Sequence, residues 1–125
     1  MSPLAWVGFV AAAAVGAPLR YLVDTAVADR TGGAFPWGTV TVNVTGSLVL
    51  GLLTGLALHH GLPDTPKVML GTGFCGAYTT FSTHTFETVR LLEEGAPSAA
   101  VRNAAGTLLA STAAAAFGLA LAVAL

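Results

Sequence analysis

Charge is scarce in this 125-residue chain. Five Lys and Arg and six Asp and Glu make up 9% of it, beside 54% hydrophobic residues. Soluble domains carry about 25% charged residues. A chain this short also exposes a large share of its surface, which water requires to be mostly polar. So few charges cannot cover that surface, and a mean hydropathy of +0.76 makes lipid the solvent for most of the exterior. There is no basic run and the net charge is −1, which gives no sign of a nucleic-acid partner. The single cysteine, Cys75, excludes an intrachain disulfide, and its apolar surroundings in the sequence suit an inert packed thiol. No Lys or Arg precedes the first apolar run, Met1–Leu19. Ala14-Val15-Gly16-Ala17 resembles a cleavage site, but the positive n-region of a signal peptide is missing. The run reads as a permanent first helix.

What is present is a series of long uncharged stretches: Met1–Leu19, Thr31–Leu58, Val68–Phe86 and Asn103–Leu125. About 20 mostly apolar residues cross a bilayer as a helix, and lipid requires every backbone group to be paired. The pattern predicts a single all-α membrane domain, 1–125, with four transmembrane helices at roughly 3–23, 37–60, 67–91 and 100–124. Trp6 and Trp37 fall near span ends, where indoles prefer the interface. One membrane side carries only Lys67, the other Arg30, Arg90 and Arg102 with Arg20 near its edge. That bias is weak, and insertion in both orientations fits it. Gly8, Ala12 and Gly16 on the first span, Gly51 and Gly55 on the second, and Gly106, Ala110, Ala114 and Gly118 on the fourth recur at four-residue spacing. Such stripes let helix backbones approach closely.

Two segments break the apolar rule. Thr39, Asn43 and Ser47 are four residues apart and share one helix face. Threonine and serine can bond back to their own helix. An asparagine amide in hydrocarbon costs several kcal/mol without partners, so Asn43 faces protein, water or an ion; plain interhelical bonding is the simpler alternative. The second segment runs from Gly71 through Gly73 and Gly76 into Thr79-Thr80-Phe81-Ser82-Thr83-His84. Glycine and β-branched residues are poor helix formers, which predicts a break near Gly76–Thr80 in the third span. Interrupted membrane helices hold ions at their free ends. Freed carbonyls suit a cation such as Na⁺, freed amides and hydroxyls an anion. No Asp or Glu lies in the central part of any span, which argues against proton coupling. Neutral donors together with electropositive aromatic ring edges suit a small, strongly hydrated anion.

Gly16-Ala17-Pro18-Leu19-Arg20-Tyr21, Gly38-Thr39-Val40-Thr41-Val42-Asn43-Val44-Thr45-Gly46-Ser47 and Gly73-Phe74-Cys75-Gly76-Ala77-Tyr78-Thr79-Thr80-Phe81-Ser82-Thr83 resemble the signature segments of the Fluc (CrcB) fluoride channels. The resemblance covers the chain, most loosely in the fourth span. It implies an antiparallel, dual-topology homodimer in the cell inner (plasma) membrane, with two fluoride pathways along the subunit interface. Such a channel lets cytoplasmic fluoride leave passively and confers fluoride resistance. It also implies a central structural Na⁺ held by the backbone carbonyls of Gly76 and Thr79 from both subunits. The pore asparagine maps to Asn43, the first pore phenylalanine to Phe81 and the pore serine of the fourth span to Ser111. Arg20 matches a vestibule arginine. Thr39, Ser47, Thr80, Ser82 and Thr83 complete the expected fluoride path.

Two positions depart from the family pattern. His84 stands where a second pore phenylalanine is expected, and Thr107 is near the place of a tyrosine one turn before the serine. His84 either lines the path with an N–H donor, or makes conduction pH-sensitive because histidine titrates near neutrality, or marks the chain as one subunit of a heterodimeric channel with a paralogue, or only packs. Asp24 with Arg20, and Glu87 with Arg90, are spaced to pair. The adjacent His59 and His60 point to different faces and suit no metal site. A small dual-topology multidrug exporter is the alternative function, but it needs a carboxylate that the first span lacks. A non-transporting scaffold is a third class. An enzyme is disfavoured, because Ser82 and His84 are poorly placed as a nucleophile–base pair and no carboxylate orients the histidine.

Overall fold

The structure is a computed structural model that describes residues 1–125. It is all-helical, without strands. Helix α1 (Pro3–Thr31) starts where the Ser2 hydroxyl accepts from Ala5 N at 3.2 Å and Pro3 takes a position that needs no N–H. It does not end near residue 23. Arg20, Asp24, Asp29 and Arg30 disfavour contact with lipid but not helical backbone, so the helix continues to Gly32, whose φ of 80° closes it with a bond to Ala28 O. Helix α2 (Trp37–His59) follows after a short loop. The chain then passes through α3 (Asp64–Lys67), a π-helical segment Val68–Cys75, α4 (Gly76–Tyr78), α5 (Ser82–Glu93), α6 (Pro97–Val101), a second π-helical segment Arg102–Gly106, and α7 (Thr107–Ala124).

Three helices are long and apolar enough to cross a membrane: Pro3–Thr31, Trp37–His59 and Pro97–Ala124. The expected third span, 67–91, is not one of them, because Thr79 turns to extended backbone (φ −78°, ψ 162°) and separates α4 from α5. The break lies at residues 79–81, toward the far end of the expected window. The glycine-rich stretch before it stays helical but widens to π geometry. The exterior is apolar: Leu4, Val7, Leu108 and Leu109 are all exposed.

Packing relies on glycine. Along α2 and α7, a Cβ on Gly51 would overlap the Ala115 carbonyl, one on Gly118 the Leu48 carbonyl, and one on Gly55 would crowd Ala122. Gly16 meets Phe74 O and Tyr78 N, and Gly73 meets Phe9 O, where α1 lies against residues 68–78. The stripe expected on the fourth span is only partly used. Gly106 has nothing within 4 Å and Ala110 is exposed. From that stripe Gly118 makes contact together with Ala115 and Ala122, because 3.6 residues per turn puts positions three and seven apart, not a strict four-residue repeat, on one face.

Candidate functional site

The site is organised by the break. In an unbroken helix Thr80 N would donate to Gly76 O. Here it donates to Asn43 Oδ1 at 2.8 Å, and Asn43 Nδ2 donates back to Thr80 O at 2.9 Å. One side-chain amide from α2 therefore replaces the helical ladder for both polar groups of a residue that has left the helix. The Thr80 hydroxyl accepts from Thr83 N at 3.2 Å and so caps α5; it also donates to Thr83 Oγ1 at 3.1 Å and lies 3.4 Å from Ser82 Oγ. Thr45 and Tyr78 hydroxyls bond at 2.9 Å just before the break.

On one side of the Asn43–Thr80 clamp is an open groove of about 500 Å³. Asn43, Ser47, Gly76, Thr79, Thr80, Phe81, His84, Thr107 and Ser111 line it, together with Leu50, Thr72, Cys75 and Leu108. No carboxylate does. Phe81 is 82% exposed there, and its ring lies 6.5 Å from that of His84, tilted by 45°. Ser111 Oγ and His84 Nδ1 are buried without hydrogen-bond partners. The Asn43 amide carries two N–H groups, and Thr80 O accepts one of them.

On the other side is a smaller cavity of about 250 Å³, lined by Arg20, Tyr21, Asp24, Thr39, Thr80 and Thr83 among others. The structure thus divides the expected polar stripe. Asn43 and Ser47 face the groove, whereas Thr39, 2% exposed, belongs to the smaller cavity with Arg20 and Thr83. Ser82 is exposed and reaches only Thr80.

The expectation that no acidic group borders the polar path needs correction at this end. Asp24 lines the smaller cavity, and its carboxyl occupies the space that a Cβ on Gly38 would take. Glu87 on α5 reaches toward Thr39, yet neither Thr39 Oγ1 nor Glu87 Oε2 has a hydrogen-bond partner of good geometry. Their sequence positions hid this, because a helix that bends at residue 79 swings α5 against the start of α2. The expected Arg20–Asp24 and Glu87–Arg90 pairs are absent. Arg20 donates to Thr79 O at 3.3 Å, and the one ion pair is Arg90–Glu94 at 3.9 Å.

No cluster of three or more His, Cys, Asp or Glu side chains is present, and the break leaves backbone oxygens without their helical donors. Gly76 O loses its helical donor to the Asn43 bond. Thr79 O accepts only the Arg20 contact and keeps a lone pair. Hard carbonyl oxygens of this kind fit a hard cation. Sequence reasoning missed Asn103, which is fully buried and bonds to α5; it opens the uncharged run of the fourth span, and one asparagine beside Arg102 near a span end carries little signal.

A helical membrane protein with a broken helical segment and a carboxylate-free polar groove beside the break has the build of an ion-conducting or ion-binding protein. The chain belongs to the family described as CrcB-like protein, Camphor Resistance (CrcB), which it matches over residues 7–119. It is 51% identical over 122 residues to "Fluoride-specific ion channel FluC 1" of Frankia casuarinae, covering 94% of this chain and 95% of the relative. It is 50% identical over 110 residues to the protein of the same name from Streptomyces avermitilis, covering 88% and 89%. "Fluoride-specific ion channel FluC 2" of Mycobacterium bovis is 45% identical over 113 residues, covering 90% and 86%.

Proposed function

We propose that this protein is a passive, fluoride-selective channel of the cell membrane, with residues 64–93 forming a broken fourth crossing. The observation that carries the reading is the groove, in which neutral donors and an exposed aromatic ring stand together without a carboxylate. Its relatives' names support the choice of ion. Fluoride holds water tightly, so a conducting path must replace those hydrogen bonds in steps and still release the ion. The second Asn43 N–H, the hydroxyls of Ser47 and Ser111, and the positive edge of Phe81 supply such steps. His84 adds an N–H donor at the station beside Phe81. Arg20 and the hydroxyls of Thr39, Thr80 and Thr83 form the approach through the smaller cavity, where Asp24 and Glu87 oppose anion entry unless a donor intervenes.

The groove is open on one subunit, and an 82% exposed phenylalanine on it suits a face that a second subunit closes. The proposed assembly is an antiparallel dimer with two pathways at its seam, which the weak charge bias across the membrane permits. At the centre, Gly76 and Thr79 carbonyls from both subunits would hold a structural Na⁺, whose role is to fix the two breaks against one another. The partner is a second copy of this chain. A paralogous subunit is the second reading, favoured by relatives numbered FluC 1 and FluC 2.

Liposomes containing the protein expressed alone test the proposal. Fluoride efflux, followed with a fluoride electrode, is expected to exceed chloride efflux greatly. Equal rates for the two ions overturn the assignment. Efflux that appears only after a paralogue is added selects the heterodimer.

A further inference from the structure

Asn103 lies in the π-helical turn Arg102–Gly106 and has 0% exposure. The wide turn directs its amide inward, toward α5. Its Nδ2 donates to Thr88 Oγ1 at 2.8 Å and makes a long contact to His84 O at 3.5 Å, while its Oδ1 accepts from Thr107 Oγ1 at 3.4 Å. Thr88 Oγ1 in turn donates to His84 O at 2.9 Å. These are the only side-chain hydrogen bonds between α5 and the final span. His84 and Thr107, the two places where aromatic residues were expected, are therefore joined by one buried amide. Both line the groove.

The half-helix α5 needs such a tie. It is cut from α4 by the break, so its rotation about its own axis is not set by a continuous ladder. The Asn43–Thr80 clamp holds the chain two residues before α5 begins and leaves rotation further along to packing. A buried amide with donors and acceptor engaged has one low-energy orientation, and through the Thr88 hydroxyl it is linked to the backbone carbonyl of the groove-lining His84.

We propose that Asn103 is a positioning residue for the ion path, locking the rotation of α5 so that Phe81 and His84 face the groove. The role is defined on top of the fluoride reading given above. In liposomes at matched protein content, Asn103→Ala is expected to lower fluoride efflux about tenfold, the rate equivalent of one lost buried hydrogen bond, and to raise chloride leak relative to fluoride. Thr88→Val shifts both in the same direction, whereas Thr88→Ser, which keeps the hydroxyl, behaves as the parent. The double variant Asn103→Ala/Thr88→Val is no worse than Asn103→Ala, because both remove one linked set of bonds. Fluorine-labelled Phe81 gives a readout independent of flux: a single ring resonance in the parent, shifted or split by Asn103→Ala. Should Asn103→Ala fail to assemble, the Thr88→Val and Thr88→Ser pair carries the same test. Parent-like selectivity and an unmoved Phe81 resonance in Asn103→Ala or Thr88→Val overturn the proposal, as does full additivity in the double variant. Absence of fluoride efflux from the parent protein overturns the channel reading instead, and the ring resonance still decides whether Asn103 positions α5.

Discussion

The α2–α7 seam and the α4–α5 break handle the same difficulty, a polar backbone in an apolar solvent, by opposite means. Along the seam both helices are continuous, every ladder bond is internal, and glycine removes the side chains that would hold the backbones apart. At the break the ladder is abandoned, and side chains from other helices bond the freed groups: Asn43 both polar groups of Thr80, and Arg20 the Thr79 carbonyl. The seam gains van der Waals contact and offers nothing to a solute. The break spends side-chain hydrogen-bonding capacity on its own backbone, and the remainder is what faces the groove. The continuous helices α2 and α7 thus supply a rigid frame whose edge lends Asn43, Ser47 and Ser111 to the groove that the break opens.

Substitutions that attack each side should therefore fail in different ways. Gly51→Leu, which drives a bulky side chain into the Ala115 carbonyl, is expected to give the largest loss, about 3 kcal/mol or more from overpacking. The check is thermal unfolding and size-exclusion profile in detergent; an unchanged melting temperature would show that the helices separate easily. Asn43→Ala follows, leaving Thr80 N and O unpaired at a cost of about 2 kcal/mol. It should lower both the melting temperature and fluoride efflux, since one amide serves fold and path together. Phe81→Ala should lower the melting temperature less than Asn43→Ala, because the ring makes few contacts within the subunit and is covered only by the proposed partner, yet slow fluoride in liposomes. Parent-like efflux there would remove the ring from the path. His84→Phe, which trades an N–H donor for a ring edge, should conduct as well as the parent or faster. The smallest effect belongs to Gly106→Ala: nothing lies within 4 Å of the added methyl, and better helix propensity should raise stability by up to about 1 kcal/mol.

Much of the helical architecture was legible because lipid imposes so strict a rule. A shortage of charge and apolar runs of about 20 residues leave helices as the available solution for this chain. The break was legible as well, since three glycines leading into a threonine-rich run oppose continuous helix. Its position at residues 79–81 falls at the far end of the expected Gly76–Thr80 window, beyond all three glycines. Glycine weakens a helix everywhere it occurs, and the ladder gives way only where a side chain stands ready to replace it, which is where Asn43 reaches. The length of α1 was misjudged for a related reason: charged residues mark the edge of lipid, not the end of a helix, and the end awaits a residue such as Gly32 that accepts positive φ.

The residue types alone determined the solvent of this protein, its helical class and the need of its membrane-embedded polar groups for partners, because burying an amide or hydroxyl in hydrocarbon demands a partner wherever it occurs. They did not determine which partner. That Thr39 parts from Asn43 and Ser47, that Arg20 reaches the Thr79 carbonyl and that Asn103 grips α5 all depend on where the bent third segment comes to rest against α1, α2 and α7. Hydrogen bonds between residues dozens of positions apart are set by the geometry of approach over a few ångströms, and only tertiary packing fixes that approach.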